Sequence, residues 1–208
     1  MPLIVYVPWL PQSHGQRTSA LVSIVDLMPT AIALFGIGPT VPDLAELEGT
    51  SLLPLLLQPT LAPSLWTNAT FTQYPRCDSK HAMSPTDPET GEAPWLYPSD
   101  NPCTQVEHTE FRAMGYSIRT ARWRYTLWLQ WDGEKSDKVS WDAVVGEELY
   151  DHEGDDGTDT DKFDNENLGC ESAQYKPVCA QHKAALEAGW KQARPKPAAY
   201  VGAGSEPR

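Results

Sequence analysis

Four cysteines, five histidines and one acidic run are the residues of this 208-residue chain whose types could support chemistry. The cysteines are Cys77, Cys103, Cys170 and Cys179. None belongs to a C-x-x-C pair, which argues against a zinc site, because zinc sites draw thiolates in closely spaced pairs. Cys77 and Cys103 bracket a proline-rich excursion; Cys170 and Cys179 bracket the entry to a helix. Two local disulfides would staple both regions and imply an oxidising compartment. Four free thiols are the alternative. The histidines, His14, His81, His108, His152 and His182, show no metal-ligand spacing and no H-E-x-x-H. His81 stands close to Arg76 and Lys80, a grouping that could bind an anionic substrate; a solvated loop is the alternative.

The acidic run DHEGDDGTDTDKFDNEN invites a calcium-loop reading. Such a loop needs its glycine at position 6, but counted from Asp151 that position is Asp156. The register fails, so a solvated acidic turn is expected. No G-x-S-x-G and no glycine-rich phosphate loop occurs, and no cysteine carries a catalytic local signature. The residues alone compose no complete catalytic constellation. Asn68-Ala69-Thr70 is an acceptor pattern for N-glycosylation.

The elements that would position these groups can be read from periodicity. Residues 3–7, LIVYV, are apolar on both faces, as central strands of covered sheets are. No second run of this kind follows, so the chain reads as a C-terminal fragment whose first strand belongs to a larger sheet. In VDLMPTAIALFGIG, Asp26 can cap a helix, Pro29 is tolerated in its first turn, and Gly36 can terminate it. Leu27, Ala31, Leu34 and Phe35 would form its apolar face. EGTSLLPLLLQPT then gives a glycine turn and a short apolar segment. Residues 69–74 can form a strand, and residues 75–110 read as a long functional loop.

RAMGYSIR and RYTLWLQW alternate with period two on both sides of a short link, Thr120 to Trp123, which predicts a β-hairpin. Met114, Tyr116 and Ile118 share one apolar face with Tyr125, Leu127, Leu129 and Trp131. GEELYDH supplies a further strand at residues 146–152, and residues 176–192 form a helix with Val178, Leu186 and Trp190 at helical spacing. The result is a small antiparallel sheet of four strands with one terminal helix. His182 on that helix is a packing or surface residue. The tail from Pro195 is Pro/Ala/Gly-rich and reads as disordered.

Bulk properties narrow the function classes. The net charge of −12 opposes a nucleic-acid surface, which needs a basic patch. No apolar run approaches the ~20 residues that span a bilayer. MPLIVYVPWLP lacks the basic start and small-residue cleavage site of a signal peptide.

Taken in order, several segments resemble the end of a sulfatase. VDLMPTAIALFGI resembles the family's D-L-x-P-T helix, and EGTSLLPLL resembles its G-x-S-L-x-P-L-L segment. QYPR, MGYSIRTARWRYTLW and GEELYDH with the Asn165–Leu168 stretch follow in family order, and PLIVYVP resembles its last large-sheet strand. QYPR with MGYSIRT resembles the iduronate-2-sulfatase group in particular. The resemblance implies an α/β fold of alkaline-phosphatase type. Residues 1–60 would end its large domain, residues 61–194 would form a C-terminal α+β subdomain, and residues 195–208 a disordered tail.

The same resemblance implies hydrolysis of sulfate esters, by a formylglycine made from the cysteine of C-x-P-S-R and assisted by calcium. No cysteine here stands in that motif, and the family's calcium ligands precede the strand that opens this chain. The resemblance therefore implies no catalytic and no metal residue in this chain, which would be inactive alone and would pair with the N-terminal catalytic part. It implies a substrate contact for the loop at 76–103, through Arg76, Lys80 and His81 toward sulfate or carboxylate, with Trp95 stacking on a sugar ring. Relatives place a lysine in S-D-K-P, where this chain has Ser99-Asp100-Asn101-Pro102. Asn101 thus leaves a charged contact missing. The resemblance also implies a lysosomal or extracellular location. The alternative is a non-catalytic module that binds sulfated carbohydrate or docks on a separate catalytic chain.

Overall fold

The computed structural model describes residues 3–42, 46–60, 66, 69–76, 107, 109, 111, 113–131, 139–159 and 162–189. Its elements are α1 (Leu27–Phe35), α2 (Leu53–Leu57), β1 (Ala69–Arg76), β2 (Ala113–Thr120), β3 (Trp123–Gln130), β4 (Val144–Asp151) and α3 (Lys176–Ala188).

The four strands form an antiparallel meander in the order β1-β2-β3-β4. The predicted hairpin is present. β2 and β3 are joined through Ala121 and Arg122, and Ile118 lies opposite Tyr125. β1 runs two residues beyond the expected 69–74, and β4 starts two residues before the expected 146. Side chains alternate between the two faces of a strand, so this register places Ile118, Tyr125, Leu127, Leu129 and Leu149 on one side. All five are essentially inaccessible, and Cys179 and Leu186 of α3 pack on them. The apolar face of the hairpin therefore covers the terminal helix. α3 ends at Ala188 rather than 192, because Gly189 adopts φ 83, which stops the helix. Trp190 lies outside the described residues. The Cys170–Cys179 disulfide is present with Cα atoms 5.9 Å apart, and ties the approach segment to the first turns of α3.

His182 is a packing residue. Its Nδ1 lies 2.8 Å from the Val178 carbonyl oxygen and its Nε2 3.2 Å from Thr120 Oγ1. The carbonyl can only accept, so Nδ1 donates. Tyr125 donates its phenol to Glu147 from within the core. Burial foremost, and that carboxylate next, push its pKa well above the ordinary tyrosine value.

The N-terminal elements follow a different logic. Two 2.7 Å bonds fix Asp26, one accepted from the Ser23 N–H and one from the Thr50 N–H. Thr30 Oγ1 donates to the Asp26 carbonyl and accepts from the Leu52 N–H at 2.8 Å. Gly49 sits where any Cβ would lie 1.9 Å from the Val25 carbonyl oxygen. The D-L-x-P-T and G-T-S-L segments thus lock together through backbone-to-side-chain bonds, and only glycine permits their approach. Gly36 closes α1 at φ 64, as predicted.

The predicted apolar face of α1 is wrong. Pro29, Thr30 and Ile32 are buried, while Leu27 and Phe35 are 41% and 65% exposed. The polar lock through Asp26 and Thr30 decides which side turns inward, because an unsatisfied buried donor is more costly than an exposed leucine. Asp26 stands at the N-cap position of α1, as predicted, but its side chain makes no cap bond to that helix. Its carboxylate reaches back to Ser23 and across to Thr50 instead. Residues 3–7 join no sheet among the described residues, and Ile4 and Tyr6 lie 90% and 71% exposed. A strand with two apolar faces needs neighbours on both edges, and no described segment supplies them.

Candidate functional site

Of the predicted substrate contacts, Arg76 alone lies among the described residues. Lys80, His81, Trp95 and Asn101 lie outside them, as do Cys77, Cys103 and the glycosylation candidate Asn68. Arg76 ends β1 on the face of the sheet opposite α3. On that face Tyr74, Gly115, Trp128 and Gly146 follow one another across the four strands.

Trp128 organises this surface. A Cβ on Gly115 would lie 2.6 Å from the Trp128 ring, so the indole rests against the bare backbone there. Trp128 Nε1 donates to Glu148 Oε1 at 2.8 Å, which fixes the ring edge. The Arg76 guanidinium lies 4.3 Å from the centre of the Trp128 ring, within cation–π range. Its contact with Glu148 is loose, 3.8 Å, and the arginine side chain is 65% exposed. An exposed pair of this kind is weak, so it leaves the guanidinium open to a stronger anionic partner. The arrangement can offer a positioned cation beside an aromatic ring and the exposed Tyr74, groups suited to an anionic ligand with a flat apolar face.

At the other end of the same face Arg119 lies directly opposite Arg124. Two like charges in register repel, so this pair needs counter-charge. The acidic turn after β4 provides it. Arg124 Nη1 bonds Asp164 at 2.8 Å, and Arg119 Nη2 lies 3.6 Å from Asp155. His152 stands between the two aspartates, Nδ1 at 2.8 Å from Asp155 and Nε2 at 3.0 Å from Asp164. The hydrogen bond with His152 is the chief cause of a lowered Asp155 pKa, and the Gly157 N–H adds to it. Burial pulls the Arg119 pKa down against the pull of Asp155 and Asp164. Sequence reading placed this run as a solvated turn and missed the network. The signal was available in the hairpin register, which sets Arg119 against Arg124.

The rest of the turn is organised by its own side chains. Asp155 accepts from the Gly157 N–H, and Asp156 from the N–H and hydroxyl of Thr158. Among the described residues no group of three or more His, Cys, Asp or Glu could hold a metal ion. A calcium site therefore does not fit the described residues. A small cleft beside Tyr116 and Trp131 encloses about 20 Å³, room for one water. No described helix is long and apolar enough to cross a membrane.

No family model matches the chain, and no curated protein matches it. Solved structures similar to it include a putative sulfatase from Bacteroides thetaiotaomicron VPI-5482 and a 2-O GAG sulfatase. Each is 22% identical, with 81% of this chain and 24% of that chain covered and a TM-score of 0.44. The chain thus spans about a quarter of the length of these structures. At that identity and score the likeness does not assign the chain to a family.

Proposed function

We propose that the chain is the C-terminal portion of a calcium-dependent sulfatase of the iduronate-2-sulfatase group, acting on sulfate esters of glycosaminoglycan type. One observation carries the reading. The segments that resemble the family pack against one another in space. D-L-M-P-T locks onto G-T-S-L through Asp26 and Thr30, and QYPR, MGYSIRT, RYTLW and GEELYD become four neighbouring strands.

In this reading the chain contributes scaffold and substrate contact. The core behind β3 holds Trp128 and Arg76 on the outer face, just before the stretch of sequence that contains Lys80, His81, Trp95 and Asn101. Arg76 would take a sulfate or carboxylate of the substrate. The nucleophile and the calcium ligands would come from the N-terminal catalytic part of the same protein, and residues 1–60 would complete its large sheet. The Cys170–Cys179 disulfide favours an oxidising compartment, lysosomal or extracellular. The exposed Arg76, seated on the half-buried Trp128, also supports a second reading, a non-catalytic module for sulfated carbohydrate.

The test is sulfate release from a glycosaminoglycan oligosaccharide, with calcium, by the full natural gene product and by its Arg76→Ala variant. The sulfatase reading expects turnover by the full product and a raised KM in the variant. Carbohydrate binding without sulfate release would overturn it in favour of the second reading.

A further inference from the structure

We propose that His152 is a proton-operated latch that holds the acidic turn, residues 152–159 and 162–164, against the Arg119–Arg124 end of the sheet. The inference is independent of the sulfatase reading. Its basis is that both ring nitrogens face carboxylates at hydrogen-bond distance, 2.8 Å to Asp155 and 3.0 Å to Asp164. A carboxylate can only accept. A neutral imidazole has one N–H and one bare lone pair, so it serves one of these aspartates and sets a lone pair against the other. The imidazolium serves both. The His152 side chain is 7% exposed and its ring stacks on Phe163, so solvent has little room to replace a lost bond.

Each of the two carboxylates also faces an arginine. Asp155 is held below its ordinary carboxylate value of 3.8, chiefly by the bond with His152. Arg119 on β2 faces Asp155, and Arg124 on β3 faces Asp164 and covers the Tyr150 ring. On the strand side Arg122 is engaged by Asp151 and Glu153, and its carbonyl accepts the His152 N–H at 2.7 Å. Lys162 lies over Phe163. The aspartates are thus paired to arginines whatever the ring does, and the imidazole proton is the variable element. Between about pH 5 and about pH 8 an imidazole is the side chain that changes charge. The turn should therefore be clasped at both aspartates while the ring is protonated and at one of them once it has lost that proton.

Amide hydrogen exchange of the full chain across that range tests the latch, after correction for the intrinsic pH dependence of exchange. Protection of the turn amides should fall about tenfold or more as pH rises, the expected effect of losing one charge-assisted hydrogen bond. His152→Gln should remove this step. Asp164→Asn should remove it too, because its amide can donate to a bare ring nitrogen, and it serves if the first variant does not fold. Protection that does not change with pH, or a step that persists in the folded variants, would overturn the proposal.

Discussion

Gly115 and Gly146 flank Trp128 on neighbouring strands, and the same substitution should have opposite outcomes at the two positions. A Cβ at Gly115 would lie 2.6 Å from Trp128 Cζ3 and 2.9 Å from Cε3 and Cη2. A Cβ at Gly146 would lie 3.7 Å from Trp128 Cδ1, an ordinary contact. Either change to alanine restricts the unfolded chain and so adds ~0.4–1 kcal/mol of stability. That gain is common to both. At Gly115 the indole must move, and overpacking of this kind costs ~1–3 kcal/mol. If the ring swings far enough to lose its 2.8 Å bond to Glu148, about 1 kcal/mol more is lost. Gly115→Ala should therefore be about 1–3 kcal/mol less stable than Gly146→Ala, with Gly146→Ala at or slightly above the parent. Urea unfolding of the three proteins, followed by tryptophan fluorescence, measures the difference. Equal stabilities of the two variants would refute the close approach of Trp128 to β2.

Three further outcomes follow from the same geometry. Gly49→Ala would drive a Cβ into the Val25 carbonyl, so the Thr50 and Leu52 amides should lose exchange protection while the β2–β3 amides keep theirs. Thr30→Val leaves the Leu52 N–H without its acceptor and should destabilise the N-terminal elements by ~1–3 kcal/mol in thermal unfolding. Asp151 is held below its ordinary value of 3.8, chiefly by its hydrogen bond with Arg122. A lowered carboxylate value means stability that is present above that ordinary value and is lost as pH falls through the folded value. Arg122→Ala should flatten this acid limb in urea midpoints measured from about pH 2 to about pH 5.

The hairpin was legible because strict alternation on both sides of a short link lets every apolar side chain face the same way, and a one-residue slip would turn one strand's set outward. Pairing Ile118 with Tyr125 keeps Tyr125, Leu127 and Leu129 on the Ile118 face. The side of α1 that is buried was not legible from hydrophobicity. Leu27 and Phe35 are more apolar than Thr30, yet Thr30 turns inward because its hydroxyl bridges two backbone groups. That bridge depends on Leu52, distant in sequence. The His152 network was hidden for a similar reason. Its four partners come from β2, β3 and two parts of the turn, and only the strand register brings them together. Of the candidate site, Arg76 was legible as a cation in the QYPR segment. Its seat on Trp128 was not, because nothing local to QYPR indicates that Gly115 leaves room for an indole.

The central claim is that this chain works as the end of a sulfatase, and the native transcript tests it most directly. Sequencing upstream of the Met1 codon should reveal an in-frame segment encoding C-x-P-S-R, or a close variant, together with acidic calcium ligands. A stop codon in frame ahead of Met1, with no such segment, would contradict the account and leave a carbohydrate-binding or docking module in its place.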